Sequence, residues 1–143
     1  MKISSRDDKI PAIDLYNGPF YQTIKKTFRQ NGLPDNLDIL ILSAKYGLIP
    51  SNELISTYDQ MMTSERAKEL QNQVMVQFKE LFKDKSYNEI FVNLGKTYTF
   101  ALEESRNLLD DYNVSWGYGQ IGERLHQLKT WLNVFNSKES VFS

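Results

Sequence analysis

The sequence predicts an α/β domain of three layers, with about four mostly parallel strands and helices on both faces. Three observations predict it. Short apolar runs rich in branched residues alternate with stretches of helical period, in the order β-α-β-α-β-α-β-α. Strands separated by helices pair most economically in parallel, through right-handed crossovers. The 143 residues suit one hydrophobic core, so residues 1–135 are expected to form a single domain, followed by a polar tail over 136–143.

A weak first strand is read at Lys2, Ile3 and Ser4. An extended loop from Ile10 to Gly18 follows and contains Asp14 and Tyr16. Phe20, Ile24 and Phe28 at i, i+4, i+8 predict a helix over residues 18–31, closed by Gly32. The second strand is expected over 37–42, bounded by Pro34 and Asn36 before it and by Ser43 to Gly47 after it. Residues 49–62 show no period and form a long connection, a length that often carries function. A helix over 64–83 aligns Ala67, Leu70, Val74, Phe78 and Leu81, with Thr63 or Ser64 as N-cap. A third strand over 89–94 ends at Gly95, a helix over 97–112 follows, and Val114 to Trp116 make a fourth strand. The last helix, over 120–133, is expected to bury Ile121, Leu125, Leu128 and Leu132.

Composition removes several function classes. Lys and Arg number 17 against 18 Asp and Glu, so a generally polyanion-binding surface has no support, although a local basic patch is compatible with that balance. No cysteine is present, which excludes disulfides, thiolate catalysis and cysteine-ligated metals. His126 is the single imidazole, so a site of several histidines within one chain is excluded, and neither a metal nor a cofactor is expected. The N-terminus lacks an apolar leader and no apolar run reaches the length of a membrane span; a cytoplasmic location without membrane association is expected.

In an open α/β sheet, ligands bind outside the carboxyl ends of the strands, and each unusual cluster falls at such an end. After the second strand come Ser43, Ala44, Lys45, Tyr46 and Gly47, a hydroxyl, a cation and a ring closed by a glycine. That set suits an anion bearing a planar group, and equally a turn whose lysine is solvated and whose tyrosine packs. After the third strand, Gly95, Lys96 and Thr97 open a helix whose free amides could hold an anion, with Tyr98 next to them; ordinary capping explains them as well. They do not form a P-loop, because Ile90 stands where its first glycine belongs. After the fourth strand, Gly117, Gly119 and Gly122 match GxGxxG spacing, but that fingerprint belongs with a first βα unit, and here only the chain end follows. A dinucleotide is therefore not expected; a glycine loop pressed against a ligand, with Arg124 one turn into the helix, is. Asp14 either orients a ligand hydroxyl or Lys45, or caps a short turn. Tyr58 and Asp59 add a ring and a second carboxylate in the long connection, and His126 is read as structural or surface.

Taken together, Pro11 to Tyr16, the string LSAKYGL from Leu42 to Leu48, and Thr57 to Asp59 resemble a family of bacterial and phage proteins known as a domain of unknown function, itself distantly similar to the peroxide-stress protein YaaA. The resemblance implies an α/β domain, a polar cleft and a link to nucleic-acid or modified-base metabolism. It also implies a cysteine near the first strand, where this chain has Ser4 or Ser5. Either that strand is short or chemistry relying on the cysteine is lost.

The expected function is handling of a nucleotide or nucleobase, glycosylase-like or base-modifying. Lys45 would stabilise negative charge, Asp14 or Asp59 would act as acid, base or orienter, and Tyr16, Tyr46 or Tyr98 would stack on a base. Asp14, Tyr58, Gly95 and the loop 117–122 are expected to converge on one sheet edge. The alternatives are a non-enzymatic nucleic-acid or stress-associated binding module and a protein-interaction factor. Whether a reaction occurs, and in what oligomeric state, stays open at this level.

Overall fold

The computed structural model describes residues 8–142. The expected first strand at residues 2–4, and Ser4 and Ser5 with it, lie outside them. The element order is β1 (Ile10–Pro11), α1 (Ala12–Leu15), α2 (Pro19–Thr27), β2 (Leu40–Ser43), β3 (Gly47–Pro50), β4 (Leu54–Ile55), α3 (Ser64–Phe82), β5 (Ile90–Val92), α4 (Lys96–Ala101), a 3-10 turn (Glu103–Ser105), α5 (Arg106–Leu109), β6 (Val114–Trp116) and α6 (Ile121–Phe142).

The expected single sheet of about four mostly parallel strands, sandwiched in three layers, is not what forms. Instead, the described strands make three separate two-stranded sheets, β1 with β4, β2 with β3 and β5 with β6. The first two are antiparallel and only β5–β6 is parallel. The physical reason lies at Gly47. Ser43 pairs with Gly47 across a three-residue loop, and Gly47 adopts φ +77°, the left-handed conformation that closes such a hairpin. Leu48 and Ile49 therefore turn back along Leu42 and Ile41. The chain leaves β2 through a hairpin, so that strand's exit is no ligand crevice of a parallel sheet.

Side-chain alternation distributes the core among three clusters. Leu42 and Leu48 face Ala67, Leu70, Val74 and Phe78 of α3, joined by Ala101, Leu102 and Leu109. Ile41 and Ile49 point the other way, onto Ala12, Leu15 and Ile55. Ile90 and Val92 also pack toward α3, while Phe91 turns to a cluster of Phe28, Leu128 and Leu132 that unites α2 with α6. A period of two along each strand is enough to produce this division.

The helical faces of α2 and α3 lie as their spacing requires, and the Thr63 hydroxyl caps α3 by accepting from the Arg66 amide. The expected helix 97–112 is broken into α4, the 3-10 turn and α5, which lets Ala101, Leu102, Ser105 and Leu109 all be buried. Along α6 Leu128 and Leu132 are buried, but Ile121 is 59% exposed, and the helix extends to Phe142. Among the described residues no helix is long and apolar enough to cross a membrane.

Candidate functional site

Ser43 is the centre of the arrangement. Its side chain is buried at the end of β2, and its Oγ accepts from the backbone N–H groups of Lys45 at 3.2 Å and Tyr46 at 3.0 Å. This local bond fixes the turn of the hairpin. The same oxygen donates to the Tyr58 hydroxyl at 3.2 Å, which in turn shares a 2.7 Å hydrogen bond with the Tyr16 hydroxyl. Tyr16 follows α1 and Tyr58 follows β4, so the pairing of β1 with β4 brings the two segments side by side.

Rings surround these hydroxyls. Tyr21 of α2 stacks on Tyr16 with centroids 5.0 Å apart, and Tyr46 meets Tyr58 edge-on at 5.5 Å. Burial pushes the phenols of Tyr16, Tyr21 and Tyr98 upward, that of Tyr21 to about 12. For Tyr16 the nearby Ser43 hydroxyl opposes the burial effect without cancelling it. The neighbouring phenols add to the burial effect, Tyr98 and Tyr58 acting on Tyr21 and Tyr58 acting on Tyr98. At neutral pH the shifted phenols are therefore hydrogen-bond donors and not anions.

The hairpin turn is held from behind by α3. Arg66 donates to the carbonyls of Ala44 at 2.7 Å and Lys45 at 3.2 Å, and Gln77 donates to the carbonyl of Tyr46 while accepting from the N–H of Leu48. Gln73 adds a second donor to Tyr46. Gly47 lies against these amides, with no room for a Cβ beside Gln77. Most of the LSAKYGL string is thus explained by the hairpin: Leu42 and Leu48 fill the core, Ser43 caps the turn, and Gly47 closes it.

A second group forms around Asn93. Asn93 donates to the Arg124 carbonyl at 2.9 Å, and the guanidinium of Arg124 reaches back to Asn93 Oδ1 at 3.5 Å and lies 5.2 Å from the Phe20 ring centroid. Gly117 abuts the Asn93 side chain too closely for a Cβ, whereas a Cβ at Gly95 would meet the guanidinium at an ordinary 3.7 Å, so close packing explains only Gly117. Gly119, at φ +90°, lets Glu123 fold back and accept from the Gln120 N–H as a cap of α6. Phe20 and Tyr21 are neighbours on α2, one under Arg124 and the other on Tyr16, so this helix links the two groups.

The candidates for chemistry are less closely joined. Lys45 is exposed at the tip of the hairpin, its Nζ 5.3 Å from the Tyr46 ring centroid. Asp14 in α1 and Asp59 after Tyr58 are exposed, and neither makes a hydrogen bond or ion pair among the described residues. Lys45 and Arg124 likewise have no carboxylate partner among them. Tyr46 spends its hydroxyl on the Ser56 carbonyl at 3.1 Å, which makes it a positioning ring. Convergence on one sheet edge gives way to a hydroxyl cluster and an Arg124 cluster joined through α2. Sequence reasoning missed Tyr21, whose place on the helical face beside Phe20 was the signal available. It also missed the clamp of Arg66, Gln73 and Gln77, whose sequence spacing of seven and four residues puts them along one side of α3.

Residues 3–130 match the profile of DUF6884, a family of unknown function, and the chain belongs to that family. No curated protein and no solved structure matches it.

Proposed function

We propose that this member of DUF6884 recognises a nucleotide or nucleobase at its tyrosine cluster. The observation that carries the reading is the pair of Tyr16 and Tyr58 hydroxyls, 2.7 Å apart above the buried Ser43 and flanked by the rings of Tyr21 and Tyr46. Neutral phenols offer a base both a π-face and a hydrogen-bond donor. Arg124 and Lys45, cations with no carboxylate partner among the described residues, supply charge for a phosphate. The likeness of residues 42–49 to proteins distantly similar to YaaA, with their link to nucleic-acid or modified-base metabolism, supports the same reading, and the cytoplasmic location expected from the sequence belongs to it.

Recognition is proposed here in preference to turnover. A general acid or base must be positioned at the reacting group, and the carboxylates expected for that role, Asp14 and Asp59, stand exposed with no hydrogen bond among the described residues to hold them. The test is a titration with purine and pyrimidine mononucleotides followed by NMR. Saturable shifts at Tyr16, Tyr21 and Tyr58 are expected, with affinity falling about tenfold in Lys45→Ala or Arg124→Ala for a lost charge-assisted bond. Full retention of binding by both variants, or no saturable binding of any mononucleotide, sinks the reading.

A further inference from the structure

The hydroxyl cluster has a proton count that its own bonds do not use up. Ser43 Oγ already accepts from two backbone N–H groups, so both of its lone pairs are occupied and its proton must go to a phenol. The Tyr16–Tyr58 bond uses one of the two phenolic protons, whichever residue donates it. One phenolic O–H is then always left over, on Tyr16 or on Tyr58. Among the described residues neither phenol hydroxyl makes a further hydrogen bond that would take it, and the Tyr46 hydroxyl points elsewhere, to the Ser56 carbonyl. Both tyrosines are only half-buried.

From this we infer that the cluster selects ligands by an acceptor oxygen, the carbonyl of an oxo-base or a phosphoryl oxygen, and discriminates against an amino group in the same place. An oxygen completes the chain Ser43 to Tyr58 and Tyr16, whereas an amino group brings a second donor against the phenolic proton. The inference rests on the nucleotide reading above and assigns the side of the ligand that faces Tyr16 and Tyr58.

The experiment compares inosine 5′-monophosphate, adenosine 5′-monophosphate and ribose 5-phosphate on the wild type and on Tyr16→Phe/Tyr58→Phe, which keeps both rings and removes both phenolic protons. Circular dichroism melting establishes that the variant is folded; should it unfold, the wild-type ranking decides, a preference for the adenosine nucleotide overturning the inference and any other order of the two nucleotides supporting it. A base carbonyl as acceptor gives about fivefold tighter binding of the inosine nucleotide than of the adenosine nucleotide, a preference lost in the variant. A phosphoryl oxygen as acceptor gives equal binding of the two nucleotides, with all three probes weakened about fivefold by the variant. Binding unchanged by removal of the phenolic protons, or a preference for the amino base that the variant abolishes, overturns the inference while nucleotide recognition stands. Absence of binding by every probe overturns both.

Discussion

Tyr21 shows how little of a side chain's role is set by its own identity. Sequence reasoning passes over it, yet its burial, with Tyr98 and Tyr58 close by, pushes its phenol up to about 12. A group whose pKa is higher in the folded state binds its proton more firmly there. Its contribution to stability is complete below the unfolded value of about 10 and is lost as pH rises through about 12. Tyr16 and Tyr98 shift in the same direction. Denaturant unfolding between about pH 9 and 12 is therefore expected to show falling stability in the wild type and a shallower fall in Tyr21→Phe. Equal slopes would mean that Tyr21 is as well hydrated folded as unfolded.

The β2–β3 hairpin is the element on which sequence and structure part. Gly47 at φ +77° is its hinge, and the packed Gln77 leaves no space for a Cβ. Gly47→Ala is expected to cost about 1–3 kcal/mol from the left-handed backbone alone, read as a drop in the urea midpoint. A variant of unchanged midpoint would show that the turn relaxes freely. Helical periods were legible: Phe20, Ile24 and Phe28, and likewise Ala67, Leu70, Val74 and Phe78, lie on the faces their spacing requires. Strand existence was legible at Leu40 to Ser43, Ile90 to Val92 and Val114 to Trp116. Pairing was not, because an apolar run does not say which neighbour it joins. The signal missed was local: three residues between Ser43 and a left-handed glycine make a hairpin loop. At the site, Ser43, Tyr16 and Tyr58 were legible as chemistry, while their mutual hydrogen bonds depend on β1–β4 pairing between strands of two residues each, too short to carry a pattern.

At the scale of the molecule, stability is concentrated on α3, whose Leu70 and Val74 are almost fully buried in the largest of the clusters. Leu70→Ala is expected to cost about 2–5 kcal/mol. Because one core is proposed for the whole chain, circular dichroism and tryptophan fluorescence should report the same shifted transition. Separate midpoints for the two probes would argue for independently unfolding parts. The Tyr16–Tyr58 bond has a different consequence, one of timing. Its partners are 42 residues apart, whereas the hairpin beside it closes over a loop of three. Closing the longer span costs more chain entropy and must await β1 and β4. The hairpin and α3 can form early, and the hydroxyl pair is expected among the last contacts made during refolding. A newly made chain would then be compact before the cluster proposed for recognition is complete.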